Sequence, residues 1–326
     1  MSADRRFDLL VAGELNPDLL VVDPHPEPVF GQAETIVENI RMEIGSSSAI
    51  AACGAARLGL RVAFVGVVGD DAFGRFVLDA LDRADIDVSG CRIDPTVPTG
   101  ATVILSRGAD RAILTAVGAI DRLRGDDIPR ELLAVARHLH VGSTYLQPAL
   151  AADLPDLFAE ARGLGLTTSF DCNWDPTGRW DDGIDPILRA ADLFMPNLEE
   201  ARRITARTAA PAAASELLRR AGLGRKPGRA FTLAVKHGAG GAIAMRGAWE
   251  YEVAEAAVLP VEVVDSTGAG DSFDAGFLYG TLADWPLRDT LELAVACGSL
   301  SVTGIGGTTA QPTLAQARDA LVAAGR

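Results

Sequence analysis

Cysteine is scarce in this chain. It has four in 326 residues (Cys53, Cys91, Cys172 and Cys297), and no two form a C-x-x-C pair. Isolated thiols exclude a zinc ribbon and argue against a disulfide framework, so a reducing cytoplasm is the expected setting. Lysine is scarcer still. Only Lys226 and Lys236 stand among 30 basic residues, and 44 acidic ones leave a formal charge of −14. A field of that sign disfavours nucleic acid and anionic membrane as partners, because both demand a basic footprint. No G-x-x-x-x-G-K-[ST] occurs, which removes a P-loop mechanism. The longest uncharged run, residues 293–317, is diluted by Gly, Ser, Thr and Gln and makes a poor membrane span. The opening MSADRRFDLLVAG lacks an apolar stretch with a small-residue cleavage site, so no signal peptide is expected.

What remains is 48% apolar and 23% charged, the balance of a globular protein able to bury a large core. Apolar runs alternate with amphipathic stretches, which predicts a sheet flanked by helices. Strands are expected at residues 7–13, 61–69, 138–143, 166–171, 192–197 and 231–238. Helices are expected at 49–58, 73–84, 272–282 and 290–302. Two stretches break the rhythm. Residues 17–41 are Pro-rich and then alternating, and 99–115 read as strand, RGADR turn, strand. Neither leads into a helix, so both read as parts of one small β flap. With no repeat or low-complexity linker, a two-domain split is not supported.

The most informative string is VVDSTGAGDSF, residues 263–273. It reads as a strand ending at Val264, a loop with two glycines, and a helix starting near Ser272. Such a loop can point consecutive N–H groups outward at the positive end of a helix, a nest for an anion or for charge developing on a transferred group. Asp271 stands at its lip, placed to accept a proton from a bound hydroxyl. An N-cap aspartate after an ordinary glycine turn would read the same way locally.

The whole string decides between them. D-S-T-G-A-G-D closely resembles the D-T-T-G-A-G-D signature of the ribokinase-like (PfkB) carbohydrate kinases, with Ser266 for the usual threonine. That resemblance implies Asp271 as catalytic base and the amides of Gly268, Ala269 and Gly270 as the anion hole. Further segments resemble the family in order. AGELNPDLL matches its G-x-x-N-x-D, implying that Asn16 and Asp18 bind sugar hydroxyls, although Asn-Pro alone reads as a turn. GSSSAIAACGAARLG ends like the first family signature, with Gly45, Ser46 and Ser47 at the substrate. It departs in Ser46 for a glycine and Ile50 for an asparagine, and the serines could equally cap the helix. VVGDDAFG supplies Asp71, expected to cap the next helix. FDCNWDP keeps Asp171 and Asn173 of D-x-N-x-R but has Asp175 for the arginine, which favours a neutral sugar.

On the nucleotide side, PNLEEA resembles the family's N-x-x-E. This implies Asn197 near the nucleotide and Glu200 holding magnesium through water, and the same pair is close to a capping box. AVKHGAGG resembles the nucleotide loop, with Lys236, Gly238 and Gly241. Thr267 and Gly298 complete the cofactor set. Asp265, Ser301, Gly304, Gly306 and Thr313 correspond to a segment that in many members wraps a monovalent cation such as potassium. His138 and His140 read as packed or edge histidines, and Cys53 and Cys172 as small core fillers.

The resemblance covers essentially the whole chain. It implies one Rossmann-like, three-layer α/β/α ribokinase-like domain over residues 1–326, with a lid from insertions at about 14–42 and 92–120. The implied reaction is transfer of the γ-phosphoryl group of MgATP to a sugar hydroxyl. The alternatives are a nucleoside or sugar-phosphate kinase, for which Arg107 and Arg111 are the candidate anion ligands, and a non-catalytic sugar- or nucleotide-sensing protein. Lids of this kind often pair between subunits in the family, which by resemblance implies a homodimer through the lid.

Overall fold

In a computed structural model the chain is described for residues 5–24, 26–107, 110–180, 183–248 and 250–326, leaving aside the side chains of Arg107 and Asp110. Eight strands form the central sheet: β1 (Phe7–Ala12), β4 (Val62–Val65), β9 (Ala136–Val141), β10 (Thr167–Phe170), β11 (Leu193–Phe194), β12 (Phe231–Lys236), β13 (Ala242–Gly247) and β14 (Tyr251–Ala256). Their order is β14-β13-β12-β11-β10-β9-β1-β4. All neighbours from β12 to β4 run parallel, while β13 and β14 add an antiparallel hairpin at one edge. Strands such as VAFV of β4 are buried along their whole length, as expected where helices cover both faces.

The helices are α1 (Ser47–Leu58), α2 (Ala72–Arg83), α3 (Arg130–Val135), α4 (Pro148–Gly163), α5 (Ile184–Ala190), α6 (Leu198–Thr205), α7 (Ala210–Gly222), α8 (Ala269–Leu282), α9 (Leu287–Ser301) and α10 (Leu314–Ala323). Two apolar clusters, one on each side of the sheet, make the three-layer α/β/α arrangement. Small residues bring the helices near the site together: a Cβ on Gly54 of α1 would lie 2.8 Å from that of Ala275 on α8. The Ala- and Gly-rich composition of α1 is therefore a packing requirement.

A separate four-stranded sheet, ordered β3-β2-β7-β8, joins β2 (Pro17–Val22), β3 (Asn39–Ile44), β7 (Ala101–Arg107) and β8 (Asp110–Ala116). The two irregular stretches of the sequence thus meet in one sheet. Residues 61–69 do not form one strand. The chain breaks at Gly66 into β4 and β5 (Val67–Gly69), and β5 pairs with β6 (Arg92–Asp94) in a third sheet. A Cβ at Gly66 would stand 2.8 Å from Gly13 O, so the break marks a close backbone approach. Val263 and Val264 are exposed in irregular chain and are not a strand end; β14 closes seven residues before Val263. Asp71 caps α2, accepting from Gly74 N at 2.8 Å. His138 and His140 are buried on Thr167 and Ser169 hydroxyls, and burial pushes them down to about 3 and about 4, so both are neutral. Cys53 and Cys172 are buried in the two apolar clusters. Among the described residues no helix is long and apolar enough to cross a membrane.

Candidate active site

The parallel strands all end at one edge of the sheet, and the chain order reverses between β1 and β9. Such a crevice is where open α/β sheets bind ligands. Residues following β1, β9, β10 and β12 gather there, opposite the N-terminus of α8.

One cavity of about 410 Å³ is lined by Glu14, Asn16, Asp18, Ser46, Ser47, Asn173, Gly268 and Asp271 from the body, with Thr102, Ile104, Arg111, Ile113 and Thr115 from the second sheet. Those last five are alternate residues of β7 and β8, so one face of the small sheet roofs the cavity. The polar groups are chained together. Asn16 Nδ2 lies 3.3 Å from both Asp18 Oδ1 and Thr102 Oγ1, and the Thr102 and Thr115 hydroxyls are 3.2 Å apart. Burial raises Asp18 to about 7, against the opposing pull of Arg111. It can therefore donate or accept near neutrality. Asn173 Nδ2 donates to Ser143 Oγ at 3.1 Å.

A second cavity of about 460 Å³ lies on the other side of the same loop. Lys236, Gly238, Gly241, Val261, Ser266, Ala269, Gly270, Phe273 and Gly298 are among its lining. The 268–271 segment is shared: Gly268 and Asp271 border the first cavity, Ala269 and Gly270 the second. Gly268 is the N-cap of α8 with φ 72°, a left-handed conformation suited to glycine. The first amides of α8 have no intrahelical acceptors and carry the positive end of the helix dipole. Burial raises Asp271 to about 7, with Lys236 pulling it down, Asp171 and Glu14 pushing it up, and a Ser47 hydrogen bond favouring the ionised form. A carboxylate poised there is matched to accepting a hydroxyl proton at neutral pH.

The structure separates the sequence candidates. Asn16, Asp18, Ser47, Asn173 and Asp271 line the first cavity together. Ser46 also borders it, but its hydroxyl donates to Glu14 O at 2.6 Å and accepts from Ala49 N at 3.0 Å as the N-cap of α1. Gly45 lies under the acceptor: a Cβ there would meet Asp18 Oδ1 at 2.1 Å. Asp171 lies behind both cavities. Its Oδ2 pairs with Lys236 Nζ and its Oδ1 accepts Asn173 N–H at 2.8 Å. Lys236, Gly238, Gly241 and Gly298 border the second cavity, whereas Thr267 borders the first. Arg111 is in the first cavity, and the Arg107 side chain lies outside the described residues.

Asn197 and Glu200 form a complete capping box at α6 (Asn197 N to Glu200 Oε2 2.8 Å, Glu200 N to Asn197 Oδ1 2.9 Å). Glu200 is buried, raised to about 7 by desolvation, and sits with Asp171 and Cys172, their ligand atoms within 4.8 Å. That trio does not suit magnesium. Burial keeps the Cys172 thiol protonated, and the Lys236 ammonium already occupies Asp171. For the monovalent-cation set, Asp265 accepts from Thr267 N (2.9 Å), Thr267 Oγ1 (2.8 Å) and Gly306 N (2.9 Å). Ser301 Oγ donates to Gly298 O at 3.0 Å, Thr313 caps α10, and Gly304 lies in the turn between α9 and α10.

Sequence reasoning missed Glu14, fully buried at the crevice. Its Oε2 accepts from Ser48 Oγ at 2.5 Å and Gln147 Nε2 at 3.2 Å, and desolvation raises it. Its signal was a charged residue two positions past the end of β1.

Comparison with known proteins identifies the family. The sequence model of the pfkB family carbohydrate kinases matches residues 7–314. A 2-dehydro-3-deoxygluconokinase of Bacillus subtilis (strain 168) is 31% identical over 276 residues, covering 80% of this chain and 81% of its own. A fructokinase of Klebsiella pneumoniae is 33% identical over 287 residues, 82% of this chain and 88% of its own. The crystal structure of a Vibrio cholerae O395 fructokinase in its fructose, ADP and calcium-bound form superposes with TM-score 0.76 at 25% identity, covering 98% and 100% of the two chains.

Proposed function

This chain belongs to the pfkB family of carbohydrate kinases, phosphotransferases acting on a hydroxyl, and from that premise we propose that it moves the γ-phosphoryl group of magnesium-bound ATP to a hydroxyl of a small carbohydrate, with Asp271 as base. The observation that carries this is the shared loop: two cavities of sugar and nucleotide size meet across Gly268–Asp271 at the start of α8. The ADP and fructose named in the Vibrio cholerae structure support a nucleotide on one side and a sugar on the other.

In this reading Asn16, Asp18, Ser47 and Asn173 hold the sugar hydroxyls. Asp271 takes the proton of the reacting hydroxyl as its oxygen forms the bond to phosphorus and the bond to the ADP oxygen breaks. The amides of Gly268, Ala269 and Gly270 meet the charge on the transferred group. Magnesium, bound to the nucleotide, would screen the phosphate oxygens. The small sheet serves as the lid, its β7–β8 face excluding water that would otherwise accept the phosphoryl group.

A second reading has its own observation. Arg111 enters the sugar cavity and donates to Thr267 Oγ1 at 3.3 Å, a cation that suits an acceptor carrying an acidic group such as a phosphosugar. Coupled ADP release with MgATP and a panel of neutral sugars, nucleosides and phosphosugars tests both readings. Turnover is expected with one class, and no phosphorylated product with any acceptor would overturn the assignment.

A further inference from the structure

A buried ion cluster behind the nest has no part in the steps above. Lys236, the last residue of β12, pairs with Asp171 Oδ2 and with both oxygens of Asp274 at 3.1 Å, its side chain 11% exposed. Asp274 stands three residues after Asp271 on α8, with a side chain 2% exposed. Burial and the neighbouring Asp171 push Asp274 well above the usual carboxylate range, while the ammonium holds Asp171 below it. Asp274 therefore holds its proton more readily than Asp171, and the charge of the pair falls mainly on Asp171. A paired, hydrogen-bonded set of this kind tolerates burial where an unpaired ion would not. The ammonium also lies close to the loop before Asp271: a Cβ built on Gly270 would lie 3.5 Å from Lys236 Nζ.

We propose that Lys236 is a positioning residue for phosphoryl transfer: pinned by Asp171 and Asp274 close to Gly270, its ammonium places a fixed positive charge beneath the nest. The proposal rests on Asp271 being the base. A charge held in place by Asp171 and Asp274 costs no reorganisation as the phosphoryl group arrives. The other groups acting on Asp271 are Asp171 after β10, Glu14 after β1 and the Ser47 hydroxyl at the start of α1. The first two oppose Lys236 and the third assists it.

The test is the acid limb of kcat/KM for ATP at saturating sugar. In Lys236→Met the limb should move up by on the order of one pH unit. In Lys236→Arg, which keeps the charge, it should stay near wild type. In the double variant Asp171→Asn with Asp274→Asn, which leaves the ammonium unopposed, it should move down. Opposite directions in the Met and double-Asn variants are not what general loosening of the site would produce. A limb unmoved in Lys236→Met, or moved the same way in both, overturns the proposal. Should Lys236→Met fail to give a thermal unfolding transition, Lys236→Gln is read in its place: an upward limb supports the proposal, and an unmoved or downward one refutes it. Asp271→Asn is run alongside. If it keeps turnover, the assignment of the base fails, whatever Lys236 does.

Discussion

Ile50 of α1 packs against the bare backbone of Gly268 and Gly307. A Cβ built on Gly307 would lie 2.5 Å from Ile50 Cδ1, and one on Gly268 would lie 3.0 Å from Ile50 Cγ2. Ile50 also borders the first cavity, the proposed sugar site, at the position where the family resemblance implies an asparagine. Its apolar branch wedges the loop before α8, while Asn16, Asp18 and Asn173 supply polar lining to the same cavity. The departure from the family pattern therefore has a packing role and does not argue for a dead site.

Gly268→Ala is expected to lower kcat by at least ~10²-fold, the range found for losing a donor to developing charge. The new Cβ would stand 2.6 Å from Gly307 Cα at a φ of 72°, so the loop must shift. Steady-state ADP release measures this. A variant with wild-type kcat would mean that the amides of this loop do not meet the transferred group.

Asp271→Asn keeps shape and hydrogen bonding but cannot accept a proton. Turnover should fall by ~10² to 10⁴-fold, while ATP still raises the melting temperature by mass action. Near wild-type turnover would remove Asp271 from the base role.

The pH profile should carry the same signature. Asp271 is raised to about 7 and, as the proposed base, would work only when ionised, so kcat/KM is expected to fall as pH drops through about 7. Asp18 titrates in the same range, also through burial. Asp18→Asn should weaken sugar binding while leaving an acid limb in kcat. Loss of the limb in that variant would assign the titration to Asp18.

The central strands were legible because buried parallel strands read as uninterrupted apolar runs, and the catalytic loop because GAGD packs its chemistry into neighbouring residues. The flap was legible as two turn-rich stretches without helices. Other features depend on partners far apart in sequence. Lys236 reads as a phosphate ligand until the fold brings Asp171 and Asp274, 65 and 38 residues away, onto its ammonium. Glu14 showed only as a charge just past an apolar strand, since Ser48 and Gln147 reach it only across the crevice.

Glu200 tests whether a buried carboxylate acts as a cap or as a cation ligand. Its folded-state value, about 7, lies above the unfolded one, so the folded protein binds the extra proton between roughly pH 4.5 and 7. Stability from this group is present below pH 4.5 and lost as pH rises through about 7. Glu200→Gln retains an acceptor for Asn197 N–H without the charge. Its melting temperature at pH 8 should equal or exceed wild type, with unchanged magnesium dependence of turnover. Glu200→Ala should lose about 1 kcal/mol or more through the cap. A rise in the magnesium requirement of the Gln variant would restore the cation role.

Arg111 offers the sharpest division between acceptor classes. If the acceptor carries an acidic group, Arg111→Ala removes a charge-assisted hydrogen bond worth about 1.5–3 kcal/mol. Its KM should then rise roughly 10- to 100-fold while ATP binding holds. If the acceptor is neutral, the guanidinium acts through Asp18, whose carboxyl it pulls down. Removing it should then raise Asp18 further, leave KM at pH 8.5 within a few-fold of wild type, and move the acid limb of kcat/KM for the sugar upward. KM measured at two pH values, with the best neutral and best anionic acceptors, separates the cases, because only an acceptor-borne charge keeps the penalty at high pH, where Asp18 is ionised in both proteins.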